Sequence, residues 1–359
     1  MVLGFGGKKG ILGLDIGSSS IKMAELKLTK KGYRLVNLGE TFLPEDAIVN
    51  KTIVDPDTVI EAIMGLMSDL NIKSRNVAIS NSGNSINIKK VSMPIMDDRE
   101  LREAIPWEIE QYIPQSIDDV HYDYEVLPGE NAEGNIDVLI VAAKRDIADT
   151  YVDIVAEAGL NPVIFDVDVF ALENMYELNY IGLEGDTFSE TDEVLALTNI
   201  GASVTNVNIL KGGVSIFTRD ITTGGAQLTE MVRNEFNVDY GEAERIKYTI
   251  GTGESDPNLD RIARNFTETV TAEIKRTVDF FSKTLWKDSI GKIVLSGGSS
   301  KVPYFPETLE ESIGSPVEMV NPFRVIEFSE KEFDPEYITD VGPKMGVVIG
   351  LALRSLDEK

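Results

Sequence analysis

The chain has 359 residues, 42% hydrophobic and 26% charged, which is length and composition for two well-buried domains of a soluble globular protein. Its 60 acidic against 34 basic residues give a net charge of −26, which excludes nucleic acid or an anionic lipid surface as a direct partner over most of the molecule. Cysteine is absent, so disulfides and thiolate metal sites are excluded, and no run approaches the ~18 apolar residues of a membrane span.

The opening MVLGFGGKKG has no apolar core followed by a cleavage site and does not read as a secretory signal, and Val2 departs from the myristoylation pattern. The expectation is a cytoplasmic chain that meets a membrane only through another protein. Ile11, Leu12 and Leu14 then form a short buried strand that ends at Asp15. Gly17-Ser18-Ser19-Ser20 makes a tight turn, and residues 21–28 leave as a second strand. Small residues at such a turn let successive backbone N–H groups point into one concavity, as phosphate binding requires. Asp15 beside it suits water-mediated Mg²⁺, and Lys22 adds a positive charge. These residues suit a surface hairpin with a polar tip equally well.

Residues 33–42 read as a third strand, 44–56 as loop, and 57–71 as a helix capped by Asp57, with residues 77–80 a buried strand. A further strand over 86–91 leads to a helix over 97–112, where Asp97 and Glu100 are spaced as a capping box and Pro106 is expected to kink or divide it. Trp107, Ile109 and Tyr112 read as packing residues. His121, the only histidine, reads as a plain surface residue and supports no nucleophilic triad. A strand over 137–143 and an amphipathic helix over 147–158 complete a small α+β unit inserted over about 84–160. A short strand over 163–165 and a helix over 169–179 follow, and the acidic stretch 182–193 reads as a linker.

The opening theme then recurs. Strand 194–198, the turn Asn199-Ile200-Gly201-Ala202-Ser203, strand 204–210 and strand 214–219 repeat the β-hairpin order, with a helix after Gly224-Gly225. Two related halves facing each other would each present a phosphate-type turn; the alternative is chance likeness of two hairpins. Helices over 240–249 and 259–286 follow, the second with an apolar stripe from Ile262 to Leu285. The strand 291–295 runs straight into Ser296-Gly297-Gly298-Ser299, where adjacent glycines permit close backbone approach to a ligand. A last apolar helix over 341–356 carries Gly342, Gly346 and Gly350 at four-residue spacing, which suits close packing on the first domain.

The hairpin, hairpin, strand-Gly-Gly order resembles the actin/Hsp70/sugar-kinase ATPase superfamily over nearly the whole chain. Within it, GLDIGSSSIKMAEL, AIPWEIEQYIPQSIDDVHYDYEVL and FTRDITTGGAQLTEMV resemble the PilM family of actin-like type IV pilus assembly proteins. The FtsA family is the nearest competitor, although its amphipathic tail has no counterpart in LRSLDEK. The resemblance implies an α/β actin-like ATPase fold: two RNase H-like βββαβα domains around a nucleotide cleft, with an inserted α+β subdomain. The implied first core is 1–83, 161–190 and 338–359, and the insert is 84–160. The second core is 191–238 with 288–337, capped by helical 239–287.

The resemblance also implies ATP and Mg²⁺ as cofactors. Gly17, Ser18, Ser19, Ser20 and Lys22 would meet the β- and γ-phosphates, with Asp15 on the metal. Asn199, Gly201, Ala202 and Ser203, backed by Thr205, would approach from the other half. Glu244 and Lys247 match the helix that meets ribose and adenine, and Gly297, Gly298 and Ser299 match the adenosine turn. One departure stands out, because Asn199 replaces the usual aspartate, and an amide binds Mg²⁺ weakly and cannot act as a base. Asp15 is then the one catalytic carboxylate among the motif positions, with Asp168 (or Asp166) as candidate for a second. The implied function is a nucleotide-clamped scaffold with slow or no hydrolysis, docking the cytoplasmic tail of a PilN-like inner-membrane protein. Other pilus-machine components, including the assembly motor, are further implied partners. A polymer-forming ATPase of the FtsA or MreB kind and a sugar-kinase-type phosphotransferase are the alternatives.

Overall fold

The computed structural model describes residues 11–49, 51–130, 134–181, 194–252, 256–284 and 289–354. Strands β1 (Leu12–Ile16), β2 (Ser20–Thr29) and β3 (Gly32–Phe42) form an antiparallel meander. Beyond it lie a two-stranded hairpin, β4 (Ile48–Val49) and β5 (Thr52–Ile53), helix α1 (Pro56–Asp69) and strand β6 (Asn76–Asn81). The hairpin occupies the expected loop, and the cap of α1 is Asp55, not Asp57: its carboxylate accepts from the Thr58 N–H. Pro56 at the first helical position explains the shift, since its missing N–H costs nothing there.

The insert is β7 (Ile86–Met93), α2 (Asp98–Tyr112), β8 (Val120–Glu130) and β9 (Ile136–Lys144), with α2 laid over a three-stranded antiparallel sheet. Asp97 and Glu100 form the expected capping box. The helix runs undivided through Pro106, because the buried stripe Leu101, Ile105 and Ile109 outweighs one lost backbone hydrogen bond. Of the three expected packing residues only Ile109 is buried; Trp107 is 73% exposed and Tyr112 faces solvent. Helix α3 (Arg145–Glu157) joins the first domain's core through Tyr151, Ile154 and Val155, so packing changes hands one helix before residue 160. Strand β10 (Asn161–Val167) and helix α4 (Asp168–Tyr180) follow, and the expected linker at 182–193 lies outside the described residues.

The second domain repeats the plan with β11 (Val194–Ile200), β12 (Thr205–Lys211), β13 (Val214–Ile221), α5 (Gly225–Phe236), α6 (Tyr240–Lys247), α7 (Pro257–Thr284), β14 (Lys292–Ser296), α8 (Phe305–Ile313) and β15 (Val317–Met319). The two sheets have equivalent orders, β3-β2-β1-β6-β10 and β13-β12-β11-β14-β15. Each has an antiparallel hairpin followed by two parallel strands. The C-terminal segment is not one helix. It is α9 (Pro335–Val341), a 3₁₀ turn Gly342–Met345, and α10 (Gly346–Leu353). The break follows from Pro343, whose carbonyl is taken by the Gly297 N–H at 2.8 Å and the Ser296 hydroxyl at 3.0 Å.

Helix α10 and α4 cross between the two sheets and share one core with residues from both, including Ala24 and Leu197. Glycine sets the spacing. A Cβ on Gly350 would lie 1.7 Å from the Ala171 carbonyl oxygen, and one on Gly13 2.3 Å from the Val348 oxygen.

Candidate functional site

The two hairpin turns have matching geometry. In the first, the Gly17 N–H donates to the Ser20 carbonyl at 3.0 Å; in the second, the Gly201 N–H donates to the Val204 carbonyl at 3.0 Å. A Cβ on either glycine would sit 2.9 Å from that same carbonyl oxygen, so both turns are as tight as glycine permits. The strands leading into them place Asp15 beside the first turn and Asn199 beside the second. The turns also touch: the Ser18 and Ser203 hydroxyls are 2.7 Å apart across the domain boundary.

Between the domains lies a cleft of about 860 Å³, within the range of ligand sites for molecules of cofactor size. Of the site residues named from sequence, all but Thr205 and Asp166 line it. Asp15, Gly17, Ser18, Ser19, Ser20 and Lys22 come from the first hairpin, and Asn199, Gly201, Ala202 and Ser203 from the second. Glu244 and Lys247 come from α6, Gly297, Gly298 and Ser299 from the turn after β14, and Asp168 from the start of α4. Thr205 is buried behind, its hydroxyl donating to the Thr223 carbonyl, and Asp166 is paired with Arg354 outside the cleft.

The third turn is laced to the second hairpin. Gly297 adopts a left-handed φ of +93°, where an added Cβ would collide with the Ile200 carbonyl at 2.4 Å. The Ser299 hydroxyl and the Gly225 N–H both donate to the Gly201 carbonyl at 2.9 Å. On α6, Lys247 Nζ donates to Glu244 Oε1 at 2.5 Å, and the Thr229 hydroxyl donates to the same oxygen. Burial lowers the Lys247 pKa against the opposing pull of Glu244.

The floor of the cleft is a chain of charges. Lys22 Nζ donates to Asp15 Oδ2 at 3.1 Å. Both oxygens of Asp168 are engaged: Ser80 donates to one at 2.7 Å, and Ser82 and Lys51 donate to the other at 2.6 and 3.0 Å. Burial works against the Asp168 charge, but Lys51 and the two hydroxyls outweigh it and hold the carboxyl below its ordinary range. Burial likewise opposes the Lys51 ammonium, and Asp168, Tyr151 and Asp15 more than restore it. At the rim, Glu40 accepts from Ser20 and from Lys344, tying the first hairpin to the 3₁₀ turn near the C-terminus.

Lys51, Glu40 and Lys344 were not visible as site residues in the sequence. Lys51 lies at a hairpin tip whose flanks, Ile48-Val49 and Thr52-Ile53, are short apolar pairs, and that is the one local signal it had. His121 is exposed and pairs with Asp149 at 2.7 Å, far in role from the cleft. Among the described residues no group of three His, Asp or Glu side chains converges as a metal site, and no helix is long and apolar enough to cross a membrane.

Comparison with known proteins gives a consistent picture. Residues 13–356 match the family described as type IV pilus assembly protein PilM. A chain in a solved PilM-PilN type IV pilus biogenesis complex is 28% identical, with 96% of this chain and 98% of that one aligned at a TM-score of 0.84. The cell division protein FtsA of Bacillus subtilis (strain 168) is 22% identical over 376 residues, covering 92% of this chain and 81% of FtsA. The ethanolamine utilization protein EutJ from Carboxydothermus hydrogenoformans shares the fold at a TM-score of 0.57 and 15% identity, over 96% of this chain and 89% of that one.

Proposed function

The chain belongs to the PilM family of type IV pilus assembly proteins, with an actin-like ATPase fold related to FtsA, and from that membership we propose that it is an ATP-clamped scaffold. It docks the N-terminal tail of a PilN-like inner-membrane protein and hydrolyses its nucleotide slowly or not at all. One observation carries the nucleotide half of this reading: two matched glycine turns, one per domain, meet through Ser18 and Ser203 over a single cleft. The N–H groups of those turns, with Lys22, would hold the phosphates. Glu244 and Lys247 would face the ribose and base, and Gly297, Gly298 and Ser299 the adenosine.

Asp15 as the one motif carboxylate at the first turn fits Mg²⁺, which binds through one or two carboxylates plus substrate phosphates and keeps several waters. When bound, that ion neutralises phosphate charge. Slow hydrolysis is supported by the two positions that could otherwise help. Asn199 carries an amide, and every oxygen of Asp168 is already engaged. The partner half is supported by the related chain solved with PilN. Attachment to the membrane would then run through that partner.

A clamp requires that nucleotide and tail favour the same closed form. Isothermal titration with ATP and Mg²⁺, repeated with a peptide of the cognate PilN tail, tests this. The expected outcome is ATP binding that Asp15→Ala weakens roughly tenfold or more, and a tail affinity that rises with ATP present. A tail affinity identical with and without ATP removes the clamp; no ATP binding removes the nucleotide reading.

A further inference from the structure

Lys51 is a cleft residue that neither hairpin motif accounts for. Its backbone holds a left-handed φ of +64° that a non-glycine residue rarely adopts, and the Tyr151 hydroxyl donates to its carbonyl at 3.1 Å. The side chain is only 12% exposed and lines the cleft. Its stem lies beside Gly83, where an added Cβ would be 3.7 Å from both Lys51 Cγ and Val204 Cγ2. Lys51 therefore stands where the first domain's floor meets the second hairpin, and Asp168 uses one of its three N–H donors. The ionisable neighbours of Lys51 are Asp168, Tyr151 and Asp15, whereas Glu244, Lys247 and, at the helix's C-cap, Tyr248 line the cleft from α6 of the second domain.

We propose that Lys51 is the reader of the terminal phosphate, a cation fixed in the cleft that contacts a γ-phosphoryl group and has nothing to hold when the ligand is a diphosphate. This rests on the nucleotide reading above and adds to it the group that tells the triphosphate from the diphosphate. Asp168 is then a positioning residue: it anchors the ammonium and is itself fixed by Ser80 and Ser82. The left-handed backbone at the tip of the β4-β5 turn and the Tyr151 hydrogen bond to the Lys51 carbonyl fix the backbone from which the side chain reaches the cleft.

The test compares ATP and ADP affinities, each with Mg²⁺, by isothermal titration. Lys51→Met should weaken ATP binding by roughly tenfold or more while ADP binding changes less than about threefold, the loss of one charge-assisted contact. Lys51→Met strands the Asp168 carboxylate without its partner, and a buried unpaired charge can unfold the chain. The double variant Lys51→Met/Asp168→Asn removes both charges, and the same loss of ATP preference is expected from it. Asp168→Asn alone should lower the ATP-to-ADP preference by less than Lys51→Met does. A folded double variant that binds both nucleotides with the wild-type ratio overturns the assignment while leaving the nucleotide reading intact. A wild-type chain that binds neither nucleotide overturns both.

Discussion

Asn199 sits at the head of a polar relay that leaves the cleft. Its Nδ2 donates to Asn206 Oδ1 at 3.3 Å, Asn206 Nδ2 donates to Asp220 Oδ1 at 2.6 Å, and the Gly83 N–H donates to the other Asp220 oxygen at 2.5 Å. Burial raises the Asp220 pKa, partly offset by those two donors. An aspartate at position 199 would set a carboxylate oxygen against Asn206 Oδ1, two acceptors with no hydrogen between them. A magnesium ion on the cleft side would relieve that repulsion. Asn199→Asp should therefore weaken ATP binding in EDTA, recover it with Mg²⁺, and raise phosphate release; titrations with and without the metal and a phosphate assay read the three effects. Unchanged release with restored binding would mean that the missing carboxylate is not what limits hydrolysis. Residues of this kind were legible in sequence because glycine-serine turns after apolar strands are local signals. Lys51, Glu40 and Lys344 were not, because each reaches the cleft from a different element and only the tertiary fold gathers them.

At the scale of elements, the expected close packing at the C-terminal glycines holds at Gly346 and Gly350 and fails at Gly342. Gly346 and Gly350 lie against α4, where added Cβ atoms would meet Leu172 Cδ1 at 2.6 Å and the Ala171 carbonyl at 1.7 Å. Gly342 lies in the break before α10, where a Cβ would meet only Pro322 Cδ at an ordinary 3.5 Å. The difference gives a paired prediction. Gly350→Ala forces backbone against backbone, which no rotamer relieves, and should cost more than about 3 kcal/mol or abolish folding. Gly342→Ala should stay within roughly 1 kcal/mol of wild type. Thermal or urea unfolding of the two proteins makes the comparison, and equal effects would mean that α10 does not approach α4 as closely as described. The break had a local signal in Gly342-Pro343, which the expected helix over 341–356 ran through, but the geometry it takes was illegible. It depends on a carbonyl being claimed by a turn some 45 residues earlier in the chain, a contact no window of local sequence contains.

For the whole molecule, the paired sheets and the insert were legible because the strand-turn-strand theme repeats, whereas the way the pieces are held against each other was not. Glu173 shows how that holding depends on conditions. It lies on α4, accepts from Asn208 Nδ2 on β12 of the second domain at 3.2 Å, and has Glu125 of the insert and Glu177 of its own helix as charged neighbours. Burial, reinforced by those two carboxylates, raises its pKa from 4.5 to about 7 despite the hydrogen bonds from Asn208 and the Ser215 backbone. The folded state therefore binds this proton more tightly than the unfolded chain does. Its contribution to stability is fully present below about 4.5 and is lost as pH rises through about 7. Glu173→Gln keeps the acceptor oxygen and removes the ionisation. The variant should unfold at a higher temperature than wild type above pH 7, and the gap should close progressively toward pH 5. Melting curves of both proteins at several pH values between 5 and 8 give the answer, and a gap that does not vary with pH would show that Glu173 keeps one protonation state across the range. If the gap does vary, the junction of the two domains and the insert tightens as the solution is acidified, and ATP affinity measured at pH 6 and pH 8 should shift less in Glu173→Gln than in wild type.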